Sequence, residues 1–450
     1  MIRYRARWIV PISSPPIANG TVAVQDGRIA YVGPSAEGGA ADDHDLGNVV
    51  LLPGLVNAHC HLELTAMRGF LEDLDFRRWI LRLTHARRAV LDRDALLDSA
   101  RYGLEEGVKA GITSYADTCE SGVVMQAFRE AGVRGVMYQE VFGPAPEQAV
   151  AATAELRDKI ASLRHLETPI TRVGVSPHAP YTVSDELFRA VTVLARELGL
   201  PVAVHIAESE LERQLVVDGG GAFADGLRSR GIDVEPRARS SIDLLAHLGV
   251  LDCAPLLIHC VRVSEGDIRA IAESRSSVAH CPASNAKLGH GVAPLAELIH
   301  AGIPVGLGSD SMASNNRMDL LEESRLALFA QRARLGSPHS PDAATVLALA
   351  TIGGARAIGI DAEVGTLETG KQADLAAFAL DSVGPTLDPI AAAVFALSGA
   401  RARFVTVAGQ VLVRDGVLAA ARPQLSARIQ SLGESLADWL RSNADAAIGS

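Results

Sequence analysis

The chain has 450 residues, a formal net charge of −11, and 48% hydrophobic but only 4% aromatic residues. That is ample material for a packed globular core and excludes a disordered or fibrous polymer. The acidic balance, with no basic patch interleaved with aromatics, argues against nucleic acid or an anionic membrane as partner.

The opening MIRYRARWIVPISSPPIANG does not read as a signal peptide, because its apolar run is short and Pro follows at once. No stretch reaches the roughly 18 apolar residues that a membrane helix needs. The five cysteines, Cys60, Cys119, Cys253, Cys260 and Cys281, include no CxxC pair. Reduced thiols and a cytoplasmic location are the expectation.

Residues 1–53 predict short strands and turns. TVAVQDGRIAYVG alternates apolar and polar residues about Asp26-Gly27, a hairpin signal. From 54 to 361 the rhythm changes to short apolar runs separated by amphipathic, helix-like segments. The runs are LLPGLVNAH, ITSYAD, VRGVMYQEV, RVGVSPHAP, PVAVHIAE, PLLIHC, SVAHCPAS and PVGLGSD. Buried strands alternating with helices indicate a parallel sheet, and eight such units indicate an α/β fold of the (β/α)8 TIM barrel type. Residues 362–420 return to strands, in DLAAFAL and in ARFVTVAGQVLVRDGVL with its Ala408-Gly409 and Asp415-Gly416 steps. Each β-rich end is too small to stand alone, so the two are expected to build one composite β-sandwich. Residues 421–450 predict a C-terminal helix and tail.

Polar residues collect where the runs end. His59 and His61 close the first run, His178 the fourth, His205 and Glu208 the fifth, His259 the sixth, His280 the seventh and Asp310 the eighth. In a barrel these ends converge on one face, where active sites sit. Strand residues i and i+2 share a side, so His59 and His61 both face the mouth while Cys60 faces the helices as a small hydrophobe. His59, His61, His205 and Asp310 form an N3O set that suits Zn(II) or Fe(II) with a position left open for water. A second ion needs a bridging lysine or carboxylate at the end of the fourth run. RVGVSPHAPYT offers neither there, so one divalent metal ion per chain is the expectation. There is no HExxH, PCxxC, Walker A or Rossmann motif.

The stretches LPGLVNAHCHLE, GVSPHAPYTVS, VAVHIAESELE, LIHC, HCPASNAKLGHGVAPLAELIHAGIPVGLGSDSMASNN and VGTLETGKQADLAAF span nearly the whole chain. In them the sequence resembles the amidohydrolase superfamily, in the metal-dependent deaminase branch that includes adenosylhomocysteine, guanine and aminofutalosine deaminases. The resemblance implies His59, His61, His205 and Asp310 as metal ligands. It implies Glu208 as proton shuttle to a substrate ring nitrogen and His259 as the residue that orients the attacking water. Asp310 would take that water's proton, and His178 would contact the substrate. Dimers are common in the family.

NAHCHLEL, FRRWILRL and SDSMASNN look most like aminofutalosine deaminases, which convert 6-amino-6-deoxyfutalosine to futalosine and ammonia on a route to menaquinone. Other adenine nucleosides (adenosine, methylthioadenosine, adenosylhomocysteine), guanine or pterin substrates and triazine hydrolysis stay open. So do a hydrolase of amide rings and a catalytically silent barrel used for binding. Glu63 is read either as a substrate contact or as an ion-pair partner of a base such as Arg68. His280 and Asn285 are pocket candidates that packing explains equally well, and His290 is left open. The segment from Met67 to Leu91 is a plausible pocket wall, although Trp79 reads as an ordinary residue of an amphipathic helix.

Overall fold

The structure, a computed structural model, describes residues 1–35 and 42–443. All eight apolar runs are parallel strands. They are β1 (Leu55–His61), β2 (Ile112–Cys119), β3 (Arg134–Val141), β4 (Thr171–Pro177), β5 (Ala203–Ile206), β6 (Leu256–His259), β7 (Ser277–His280) and β8 (Val305–Leu307). Strands such as β2 and β3 are buried along their whole length, as expected where one face meets the barrel interior and the other a helix layer.

Ladders join β1 through β4 and β5 through β8. A bridge between Val175 and Val202 joins the two halves. The ring closes after β8. Strand pairing breaks at Gly308-Ser309 and resumes at Asp310, which pairs with Cys60, and Ser311, which pairs with His61. Glycine is required at the break, because a Cβ on Gly308 would lie 2.9 Å from the Cβ of His59. The Asn57 side chain fixes this corner, accepting from Ser309 N at 3.0 Å and donating to Ser309 Oγ at 2.8 Å.

Helix α1 (Phe76–Val90) follows β1. Its N-cap, Asp75, accepts from Arg78 N. Its buried residues Phe76, Trp79, Leu83 and Ala86 follow helical spacing and form one apolar stripe.

Among the described residues the two ends of the chain build one sheet of nine strands. Val49–Pro53 runs antiparallel to Leu375–Ala379, with Leu51 opposite Ala377, so the join is made across more than 300 residues of chain. Tyr4, Ile9, Val22, Ile29, Leu51, Leu375 and Phe404 form a core separate from that of the barrel. Asp26-Gly27, Ala408-Gly409 and Asp415-Gly416 are all hairpin turns with positive φ at both residues, as type I′ geometry demands. Arg134, at the start of β3, binds Asp374 through both oxygens at 3.1 Å and ties this sheet to the barrel end remote from the histidines.

The C-terminal helix, Leu425–Ser442, buries Leu425 and Leu436 and sets Trp439 beside Phe70. The expected tail at 444–450 lies outside the described residues. Among the described residues all five cysteines are free, and no helix is long and apolar enough to cross a membrane.

Candidate active site

The strand ends bring His59, His61, His205, His259 and Asp310 into one buried cluster. His59 Nε2 lies 3.4 Å and His61 Nε2 3.6 Å from Asp310 Oδ1. Donor atoms of His59, His61 and His205 lie within 4.8 Å of one another, as do those of His59, His259 and Asp310. The chain is bent to achieve this. His259 (φ +78°) and Asp310 (φ +55°) both hold left-handed backbone, a strain that surrounding structure must maintain. Cys60 points the other way, with Sγ 3.4 Å from Asp117 Oδ2.

The hydrogen bonds behind the imidazoles test whether a cation fits. His61 Nδ1 faces the carbonyl of Thr118 at 3.0 Å, and His205 Nδ1 faces the carbonyl of His178 at 3.3 Å. A carbonyl only accepts, so both Nδ1 atoms carry the proton and both Nε2 atoms present lone pairs, that of His61 with the Thr118 hydroxyl 3.3 Å away. Those lone pairs face each other at 3.3 Å. Two nitrogens bound to one tetrahedral ion at about 2.0–2.1 Å stand about 3.3 Å apart. His59 adds two buried ring nitrogens with no hydrogen-bond partner among the described residues. This donor set fits a divalent cation. Burial holds all three imidazoles below their ordinary pKa, and so in the neutral form that binds metal.

Asp310 is locked in place. Its Oδ2 accepts from Ser284 Oγ at 2.5 Å and Ser314 Oγ at 3.0 Å, and its Oδ1 from Ser311 N at 2.7 Å. Burial pushes its carboxyl up, but the adjacent histidines, His59 first and then His259 and His61, hold it well below its ordinary value.

Glu208 sits beside the cluster, 3.5 Å from His259 Nε2 and 3.3 Å from His290 Nε2. Burial raises its pKa, but His259 and His290 outweigh that and leave it below the ordinary value. Its backbone is set by Glu212, whose carboxylate accepts from Ala207 N at 2.7 Å and Glu208 N at 3.2 Å. His259 Nδ1 donates to Asn285 Oδ1 at 3.0 Å, so Asn285 turns the ring toward Glu208. Thus Asn285 and His290, both undecided from sequence, belong to the site. His280 is buried with neither ring nitrogen bonded among the described residues, and burial pulls its pKa down to about 3.

His178 caps β4. Its Nδ1 lies 2.8 Å from Thr182 Oγ1, and burial lowers its pKa to about 3, so the ring is neutral. Around it stand Phe142, with ring centroids 4.9 Å apart, and Tyr181, itself stacked on Phe223 at 4.4 Å. Phe76 of α1 meets His290 edge-on at 4.5 Å. Helix α1 therefore walls the mouth with aromatic surface suited to a flat ring.

Glu63 does not pair with Arg68, which binds Glu106 instead. Its partner is Arg87 of α1, at 2.9 Å, with further bonds from Cys119 Sγ, Ser121 N and Ser121 Oγ. These donors occupy the carboxylate and leave it little to offer a substrate.

Sequence reasoning passed over Glu140 at the end of β3. It is only 7% exposed, and its oxygen lies within 4.8 Å of the donor atoms of His178 and His205. Burial raises its pKa well above the carboxylate range. The available signal was an acid near the end of an otherwise apolar run, VRGVMYQEV.

A closed barrel whose mouth gathers imidazoles and carboxylates with donor atoms within 4.8 Å of one another is a candidate metal centre. The chain belongs to the Amidohydrolase family, whose model matches residues 50–412. It is a hydrolase acting on C–N bonds, of the deaminase branch. A 5-methylthioadenosine/S-adenosylhomocysteine deaminase of Moorella thermoacetica is 34% identical, covering 91% of this chain and 93% of that one. A 5'-deoxyadenosine deaminase of Methanothermobacter thermautotrophicus is also 34% identical, covering 89% and 91%. Among solved structures, a zinc-bound adenosine deaminase from Xanthomonas campestris superposes with a TM-score of 0.84 at 28% identity, over 98% of both chains. An aminofutalosine deaminase from Helicobacter pylori shares the fold, with a TM-score of 0.80 at 21% identity over 92% of this chain and all of that one.

Proposed function

We propose that the chain removes the 6-amino group of an adenine nucleoside by hydrolysis, releasing ammonia, and that the nucleoside is modified at its 5′ carbon. The observation that carries this is Glu208, a buried carboxylate held between His259 and His290 at the edge of the lone-pair cluster. An acid–base group beside a water-activating centre is what hydrolysis of a ring amidine requires.

His59, His61, His205 and Asp310 would hold one divalent ion, which when bound would supply an acidified water. Zinc is the ion of choice for three imidazoles and a carboxylate, and Fe(II) is the alternative. Glu208, a carboxylate at rest, would take one proton from the attacking water and pass it to the ring nitrogen next to the amino-bearing carbon, which makes that carbon electrophilic. His259, aimed by Asn285, orients the water and stabilises the charge that develops during attack. Asp310 would accept the water's other proton and hand it toward the leaving ammonia. His178 and the aromatic wall place the base.

The 5′ modification is supported by the relatives, whose names specify methylthioadenosine, adenosylhomocysteine and 5'-deoxyadenosine. 6-Amino-6-deoxyfutalosine belongs to the same chemical class and is favoured by the NAHCHLEL, FRRWILRL and SDSMASNN stretches. Glu63 gives that choice no support, because its carboxylate is held by Arg87 and Ser121.

The test is ammonia release by zinc-loaded protein from aminodeoxyfutalosine, methylthioadenosine, adenosylhomocysteine, 5′-deoxyadenosine, adenosine and guanine. Turnover of one or more 5′-modified adenine nucleosides, with kcat/KM well above guanine and adenosine, is the expected result. Release from guanine alone, or from none while metal is bound, refutes the proposal.

A further inference from the structure

Glu140 is a buried carboxylate that the reaction described above does not use. Its Oε1 has no hydrogen-bond partner among the described residues. Burying a polar group without a partner is costly, and such a group in a native site calls for a reason. Four other acids around the mouth are engaged. Glu63 is held by Arg87, Asp310 by three serine groups, Glu208 by two histidines and Glu212 by backbone N–H groups. Arg87, the neighbouring cation, is taken up by Glu63 and by Glu120 at 2.7 Å. Glu140 Oε1 points instead at His178 Nε2, 4.0 Å away, across a gap too wide for a direct bond.

We propose that Glu140 is a specificity-determining residue that accepts hydrogen bonds from the ribose hydroxyls of the nucleoside. This rests on the deaminase reading and deepens it. The amino-bearing edge of the base must lie at Glu208, after β5, which leaves the sugar for the β3–β4 side of the mouth. The Glu140 oxygen that lacks a partner can accept a hydrogen bond, and a sugar hydroxyl is an O–H donor. A cis-diol presents two such donors on adjacent carbons. The neutral ring of His178, tethered to Thr182, lies alongside as a second contact.

The experiment measures kcat/KM for adenosine, 2′-deoxyadenosine and 3′-deoxyadenosine with zinc-loaded wild type, Glu140→Gln and Glu140→Ala. These substrates share the base and differ by one hydroxyl. Wild type is expected to prefer adenosine by roughly 3- to 10-fold, the net worth of one hydrogen bond. Glu140→Ala is expected to lose far more on adenosine than on the deoxy forms, bringing the ratio close to one. Glu140→Gln, which keeps shape and one acceptor, falls between them. Thermal melting confirms that each variant is folded, and the isosteric Gln form carries the test if Ala does not fold.

A wild-type preference that survives both substitutions overturns the assignment. So does metal analysis showing two ions per wild-type chain and one in Glu140→Gln, because Glu140, His178 and His205 then hold a cation. If wild type deaminates no nucleoside of either set, the deaminase reading itself has failed. Deamination with an unaltered hydroxyl preference in the variants condemns the Glu140 role alone.

Discussion

Replacing Arg87 with Met tests whether α1 is tethered over the mouth by charge. The Glu63 side chain is 4% exposed and that of Arg87 13%. Removing one partner of a buried pair typically costs about 3–5 kcal/mol, because the remaining charge is stranded. Glu63 keeps its contacts from Ser121 and Cys119, so the lower end, about 3 kcal/mol, applies. The converse change, Glu63→Gln, is milder at about 1–2 kcal/mol, because Arg87 retains Glu120. The double variant should recover part of the Arg87→Met loss. The sign with pH follows from the pair. Burial pushes the Glu63 carboxyl up, while Arg87 and its hydrogen bonds pull it below the ordinary value. In wild type that contribution is present above the unfolded carboxyl pKa and is lost as pH falls through the folded one. In Arg87→Met the desolvation is unopposed by Arg87, so Glu63 takes up a proton and the variant becomes less stable as pH rises. Urea unfolding at pH 5 and pH 8 reads this directly. A loss below about 1 kcal/mol at pH 8, or no coupling in the double variant, refutes a charge tether.

Glu208→Gln keeps the shape of the site but removes its proton carrier, so kcat for ammonia release should fall by roughly 10²–10⁴-fold with bound metal unchanged. His61→Ala should reduce the metal bound per chain, measured by elemental analysis. In wild type a chelator should lower the thermal midpoint and zinc restore it, since the facing lone pairs of His61 and His205 lose the cation that separates them. Burial raises Glu212 to about 7 from an ordinary 4.5. Between those values the folded chain holds a proton that the unfolded chain has released, so its contribution, complete below about pH 4.5, is lost by about 3 kcal/mol as pH rises to 7. Glu212→Gln should flatten that slope in urea titrations from pH 5 to 8, and an unchanged slope counts against a protonated Glu212.

The recurring apolar runs were readable because a strand buried on both faces leaves few places for polar residues except its ends. The period of two also determined that His59 and His61 share a side that Cys60 does not, and the structure keeps that arrangement. Asp26-Gly27 and its two counterparts were legible because few residue pairs tolerate positive φ twice in succession.

The partners of those residues were not legible. Glu63 finds Arg87 across 24 residues because α1 lies against the loops after β1 and β2, and helical periodicity says nothing about where a helix docks. His290 reaches Glu208 because the segment after β7 folds back under Phe76. Glu140 was missed because a sequence does not distinguish a bonded buried acid from an unbonded one.

The sequence by itself determined which residue types stand at each strand end, since backbone geometry is local. Only the tertiary structure decided which ends are neighbours. Ring closure sets Asp310 beside Cys60, 250 positions earlier in the chain, and thereby makes a single site out of strands that carry no record of one another.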